Sequence, residues 1–236
     1  STYASSAALY SLPYDPVGGI APVGLITTGP LMLAATPSVK ANNLKEFIDL
    51  LRAKPRGMTF GSSGTGSINH LAGELFQSMT GIRWGHVPFK GSGPNLIGLM
   101  GGEIDFSFGS TTSLVDQARL GRVRAIAVTG PQRYGELPNV PTIAESGVPG
   151  YAATNWYGLL APAKTPAAVI DRINRDMDLM ATQIARLLND ESHKKNLKYP
   201  RDFFKALPLA RLEIYHSRDK KPEVFTHFEK IEPTPK

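Results

Sequence analysis

Apolar positions along this chain switch repeatedly between two spacings. Leu44, Phe47, Ile48 and Leu51 recur at i, i+3, i+4 and i+7, which places them on one face of a helix. Asn42 or Asn43 supplies its N-cap, and Pro55 and Gly57 stop it. Met58-Thr59-Phe60 then reads as a short strand. The next helix carries Ile68, Leu71, Ala72, Leu75, Phe76 and Met79 on one face and ends at Gly81. The alternation continues. Trp84 to Val87 is a strand, with Pro94 in the first turn of a helix through Met100. Ile104 to Phe108 is a strand before a helix through Arg119, and Ala125 to Val128 is a further strand. Strands alternating with helices predict an α/β fold with a mostly parallel sheet covered on both faces.

The flanks follow other rules. Ser1 to Ala35 opens on small polar residues and turn signals at Pro13-Tyr14-Asp15-Pro16 and Val17-Gly18-Gly19. Two short buried strands, Val23 to Ile26 and Leu31 to Ala35, are expected on either side of Gly29-Pro30. Pro131 to Tyr151 is rich in loops, and Asn155 to Leu160 is a strand. Thr165-Pro166 starts a helix as N-cap and N1, running to about Leu188. From His193 to Lys236 the apolar residues are scattered and no element is predicted.

Charge adds little to this picture. The net charge is +6, and Arg186 to Lys236 holds twelve Lys or Arg against eight Asp or Glu. The excess therefore sits in a basic tail that reads as solvated, and no nucleic-acid partner is implied. There are no cysteines, which excludes disulfides, thiolate zinc sites and cysteine nucleophiles together. No run approaches the roughly 18 apolar residues of a membrane span, and Ser1-Thr2-Tyr3-Ala4 carries no signal-peptide pattern.

Chemistry concentrates at three strand-to-helix junctions: Gly61 to Ser67, Lys90 to Gly93, and Gly109 to Ser113. In a parallel sheet all such junctions lie at the carboxyl ends of the strands, where open α/β sheets bind ligands. Each helix start leaves N–H groups unpaired and carries partial positive charge. Glycine lets a ligand approach the backbone, and Ser and Thr hydroxyls add donors. One such junction is an ordinary cap; three in succession favour an anion site.

Enzyme signatures are missing one by one. The glycine runs do not spell G-x-G-x-x-G, and there is no P-loop and no G-x-S-x-G elbow. No cofactor is implied. His70 and Glu74 stand at i and i+4, yet a third metal ligand is not evident, and a helix-surface hydrogen bond is the better reading. His86 beside Pro88 reads as a packed or loop histidine rather than a base. An enzyme acting on a small acid, with His70 or His86 as base, stays as an alternative, without a paired nucleophile or second carboxylate.

At these same residues the chain resembles the Bug family, the TctC-type substrate-binding proteins of tripartite tricarboxylate transporters. The resemblance rests on Gly61-Ser62-Ser63-Gly64-Thr65-Gly66-Ser67, His70-Leu71-Ala72-Gly73-Glu74-Leu75-Phe76, His86-Val87-Pro88-Phe89-Lys90-Gly91, Leu137-Pro138-Asn139-Val140-Pro141-Thr142, Glu145-Ser146-Gly147 and Trp156-Tyr157-Gly158-Leu159-Leu160-Ala161-Pro162. It covers about Thr2 to Leu179. The resemblance implies a type 2 periplasmic-binding-protein-like fold, two α/β lobes with mostly parallel sheets that close on ligand by a hinge. It implies a monomer outside the cytoplasm, in the periplasm, holding a small carboxylate and presenting it to membrane transporter subunits. Carried over, the ligand loops are Ser63, Gly64, Thr65, Ser67 and His70, then Lys90, Gly91 and Ser92, then Gly109, Ser110 and Thr111. Thr2 and Tyr3 match a first-lobe loop near the cleft. The second lobe is expected at 36–155, with 1–35 and 156–236 forming a partial first lobe and an atypical basic tail. The family's opening strand and glycine-rich loop find no counterpart, so the first lobe is expected to be incomplete. A truncated, non-functional remnant of such a protein is therefore a second alternative.

Overall fold

The computed structural model describes residues 2–189, 212–214 and 223–225. They form α1 (Thr2–Leu9), β1 (Ile20–Ala35), α2 (Leu44–Ala53), β2 (Thr59–Ser62), α3 (Ile68–Thr80), β3 (Gly85–Pro88), α4 (Ser92–Gly101), β4 (Phe106–Ser110), α5 (Thr111–Arg119), β5 (Arg124–Val128), β6 (Thr154–Pro162), α6 (Ala167–Asn189), β7 (Leu212–Ile214) and β8 (Glu223–Phe225). No helix among the described residues is long and apolar enough to cross a membrane.

The main sheet has the order β3-β2-β4-β1-β5, with β6 added on β1. β2 pairs in parallel with β3 and with β4. β1 pairs antiparallel with both β4 and β5. Four strands therefore share one direction and β1 opposes them. The reason is connectivity. Parallel neighbours need a crossover, and α3, α4 and α5 supply one between each successive pair from β2 to β5.

β1 corrects one expectation. The chain does not break at Gly29-Pro30 but runs extended through sixteen residues. Pro30 has no N–H to give a ladder, and the pairing with β4 and β5 begins just past it, at Leu31 and Met32. The tail is also corrected in part: β7 and β8 form an antiparallel pair where no element was expected. The rest of that stretch lies outside the described residues.

The chain forms two compact units. Unit one takes Ser1–Ser11 and Gly29–Asn155; unit two takes Leu12–Thr28 and Trp156–Lys236. This division differs from the expected one: α1 clusters with unit one, and the boundary near residue 36 moves to within β1. The core of unit one is aromatic. Phe60 packs on Trp84, Phe106 and Phe108, with ring centroids 5.6, 5.6 and 5.8 Å away. Tyr151 returns from the proline-rich loop to stack edge-on against Phe76 at 5.9 Å, and its hydroxyl donates to Ala72 O at 2.9 Å. In unit two, α6 is tied to β1 by Asn174 Nδ2 donating to Val23 O at 2.7 Å.

α2 forms as its sequence dictates. The Asn43 side chain accepts from Glu46 N–H at 2.9 Å, and Leu44, Phe47, Ile48 and Leu51 are its buried residues. α3 is rotated from expectation. Its buried residues are Asn69, Ala72, Gly73, Phe76 and Gln77, while Leu75 and Met79 remain 37% and 40% exposed. Two buried polar side chains take the place of the expected apolar ones because each has a partner: Asn69 Nδ2 donates to Phe108 O, and Gln77 Oε1 accepts from Trp84 N–H at 3.3 Å.

Candidate functional site

Two of the three junctions line a common cavity within unit one, the second through Ser92 and the third through Gly109, Ser110 and Ser113; no residue of Gly61 to Ser67 is in its lining, which α3 reaches through Asn69. The cavity opens among Asn69 of α3, Ser92, Asn95, Leu96 and Leu99 of α4, Ser107, Gly109 and Ser110 of β4, and Ser113 and Leu114 of α5. Three helix starts thus border one space, as anion binding by helix ends requires. Counted to its open mouth the space is about 260 Å³.

The floor is polar. Asn95 is 4% exposed, donates from Nδ2 to Ser107 Oγ at 2.8 Å, and keeps Oδ1 without a hydrogen-bond partner. Asn69 holds the first junction to β4 through Phe108 O and accepts from Ser63 Oγ at 2.5 Å. Motif reading missed Asn69, Asn95 and Ser107; Ser113 ends the third junction that it marked. An asparagine within the first turn of a helix that opens from a glycine-rich loop is the signal that would have found both.

The first junction is a closed hydrogen-bonded loop. Gly64 N–H donates to Ser62 Oγ at 3.2 Å, Ser67 N–H to Gly64 O at 3.1 Å, and Gly66 N–H to His70 Nδ1 at 3.1 Å. Ser67 caps α3 through Oγ. Gly64 and Gly66 sit at φ +131° and +77°, a region that residues with a Cβ rarely adopt. Thr65 is exposed. The second junction is tied to the first by Gly91 N–H donating to Ser63 O at 3.2 Å. Gly91, at φ +108°, is the N-cap of α4, Ser92 lines the cavity, and Lys90 is exposed. The first amides of α4, at Ser92 and Gly93, have no acceptor within the helix.

At the third junction Gly109 and Ser110 line the cavity and Thr111 does not. Thr111 is 3% exposed, and its hydroxyl donates to Pro30 O at 3.1 Å, which fixes α5 to β1. Thr2 and Tyr3 begin α1 rather than occupying a loop. What α1 brings to the site comes from its other end: a Cβ on Gly66 would lie 2.6 Å from Leu9 Cδ1.

His70 and His86 stack face to face, with centroids 4.2 Å apart, and His86 stacks in turn on Phe60 at 5.4 Å. Burial first, and then the neighbouring His70, lower the His86 pKa, against a smaller upward pull from Glu74. Glu74 Oε1 stands 3.6 Å from His70 Nε2. Among the described residues no group of three or more His, Asp or Glu gathers to hold a metal.

A larger groove, about 750 Å³ to its mouth, lies at the end of α5 and the start of β5. Its walls include apolar Pro37, Val123, Leu137 and Val140 and two cations, Arg119, paired with Glu136 at 2.6 Å, and Arg124, which donates from Nη1 to Asn42 Oδ1 at 2.7 Å. No helix start faces it, so size and chemistry point to different places, and the chemistry favours the smaller cavity.

Residues 1–196 match the model of the tripartite tricarboxylate transporter family receptor. The chain belongs to that family. Protein BugT of Bordetella pertussis is 33% identical over 168 residues, which are 71% of this chain and 52% of BugT. Among solved structures, R. palustris Rpa4515 with adipate superposes at a TM-score of 0.68 with 34% identity, covering 79% of this chain and 60% of that one. MatC from Rhodopseudomonas palustris with bound malate gives 0.68 and 28%, covering 82% and 64%. The receptor-family chain described here spans about half the length of the curated relatives it matches. The fold is that of the family's periplasmic binding proteins, α/β with four of the five strands β1–β5 running in one direction.

Proposed function

We propose that this chain binds a small organic acid, of the size of a four- to six-carbon dicarboxylate, as the extracytoplasmic receptor of a tripartite-type transporter. The observation that carries this reading is the gathering of three helix starts around one open, polar-floored cavity. The adipate and malate bound by the two R. palustris proteins support this ligand class. The contact residues would be Ser92, Gly109 and Ser110 at the cavity wall, with Ser63, Gly64, Thr65, Ser67, Lys90 and Gly91 shaping its rim. The receptor would work in the periplasm and hand its acid to membrane subunits without turning it over. A base role for His70 is disfavoured because its Nδ1 already accepts Gly66 N–H.

Magnitudes bound the affinity. Three helix ends supply about 0.3–1 kcal/mol each when exposed, and each hydrogen bond to a carboxylate about 1.5–3 kcal/mol. Association itself costs at least about 4 kcal/mol, so two or three such bonds give micromolar binding at the tightest. Calorimetry of the whole chain with malate, adipate and benzoate tests this: heat is expected with at least one dicarboxylate, and the acid is recovered unchanged. No heat from any of the three, or turnover of one, overturns the proposal.

A further inference from the structure

The histidine pair stands beside the ligand loop and is wired into it at two points. Gly66 N–H donates to His70 Nδ1 at 3.1 Å, and His86 Nε2 lies 2.7 Å from Ser62 Oγ. Ser62 Oγ gives its own proton to Gly64 O at 3.1 Å and accepts Gly64 N–H at 3.2 Å. The 2.7 Å contact with His86 Nε2 competes with these for the one hydroxyl proton, so the His86 tautomer and the Ser62 rotor are coupled. The two residues so held, Gly64 and Gly66, are the two with positive φ in this loop. Glycine has little preference of its own there, so the loop's shape depends on these bonds.

The groups facing the pair come from each element around it. β2 presents Phe60 and Ser62, neither charged. α3 presents Glu74, 3.6 Å from His70 Nε2, whose Oε1 also accepts from Gln77 Nε2 at 2.7 Å. The residue after α1 brings the Tyr10 hydroxyl near Gly66. Glu74 is thus the one carboxylate near the rings among the described residues, enough to balance one imidazolium and not two.

We propose that His70 and His86 are positioning residues that hold the Ser62–Ser67 loop in its ligand-receiving shape only while the pair is uncharged, so that acidification releases the ligand. The proposal rests on the reading of this loop as part of the acid site. A proton on His70 Nδ1 converts the acceptor of Gly66 N–H into a second donor, and that bond is lost. A proton on His86 charges a ring stacked 4.2 Å from its neighbour. Burial already opposes that charge and holds the His86 pKa below the usual imidazole value. The sign follows from this depression: the stabilisation is full above the ordinary imidazole value of about 6.5 and is lost as pH falls through the lower folded value. Direct electrostatics has the opposite sign, because imidazolium rings touching the ligand would tighten the hold on an anion in acid. The direction of the pH effect therefore separates positioning from contact.

Two readouts test the proposal on the full chain. Malate and adipate affinities are measured from pH 8 to 5.5, and ring and loop-amide resonances are followed by NMR over the same range. Affinity is expected to fall about five- to tenfold with acidification, and the Gly64 and Gly66 amides to shift together with the histidine rings. H70N keeps an acceptor for Gly66 N–H and H86Q a hydrogen-bonding partner for Ser62 Oγ, without the titration. The double variant is expected to show a flat pH profile apart from the ligand's own ionisation, whereas H70L, which has no acceptor, binds weakly at every pH. Tighter binding in acid, or an unchanged profile in the double variant, overturns the proposal. If neither acid binds at any pH, the binding reading fails by itself. The positioning role is then decided by the amides, and it falls if they do not follow the rings. Should H86Q fail to fold, H70N alone carries the same comparison at Gly66.

Discussion

Gly73 lies on the inner face of α3, and a methyl group there would come within 2.6 Å of Phe60 Cζ. Phe60 cannot yield easily, because it is fully buried among Trp84, His86, Phe106 and Phe108. G73A should therefore behave as an overpacked core site and lose about 1–3 kcal/mol, read from chemical denaturation, even though alanine is the better helix former. Stability equal to the parent would show that α3 can slide on the sheet. The same residue explains why α3 was misread. Pattern reading counts apolarity, and glycine, asparagine and glutamine do not score. Here Gly73 is inside because only a hydrogen fits against a ring, and Asn69 and Gln77 because backbone groups wait for them. Leu75 and Met79 were displaced outwards as a consequence. Thr111 also has a long-range partner: its residue type fits a ligand loop, but its hydroxyl is committed to Pro30 O, 81 positions away, which local sequence does not reveal.

At the scale of elements, α2 was legible because every signal for it is local. Asn43 caps it through Glu46 N–H, and Glu46 reaches back to accept Asn42 N–H at 2.8 Å, one residue before the N-cap, a relative of the capping box. N43A should cost about 0.5–2 kcal/mol with little change in the denaturant slope, since the native fold is kept. A smaller loss would mean that the four buried residues of α2 fix the helix without its cap. The three site junctions were legible for the same reason, as each is written in consecutive glycines and hydroxyls. That the second and third open on one cavity, with Asn69 of α3 beside them, follows from β2, β3 and β4 being parallel. β1 was less legible. A Gly-Pro pair ordinarily punctuates, but here the pairing with β4 and β5 begins at Leu31 and Met32, just past the proline, and the chain stays extended through it.

For the whole molecule, stability is expected to be uneven, because the two units are built differently. Unit one encloses a continuous aromatic cluster that includes Phe47, Phe60, Phe76, Trp84, Phe106, Phe108 and Tyr151. In unit two the described residues bury Val23 and Asn174, and much of the outer face of α6, including Val169, Leu179 and Met180, is exposed. Burial of apolar surface is the main source of folding free energy, at about 25 cal/mol per Å², so local opening should cost least where least is buried. Native-state hydrogen exchange should then find the slowest amides at Leu33 to Ala35 and Phe106 to Phe108, exchanging only when unit one unfolds as a whole. The amides of α6 should exchange through a separate opening of lower energy. A dicarboxylate bound at the three junctions adds to the slow set alone, by about 2.7 kcal/mol at a hundredfold excess over Kd. An equal gain in α6 would mean that the two units open together, and the cooperative unit would then be the chain and not the lobe.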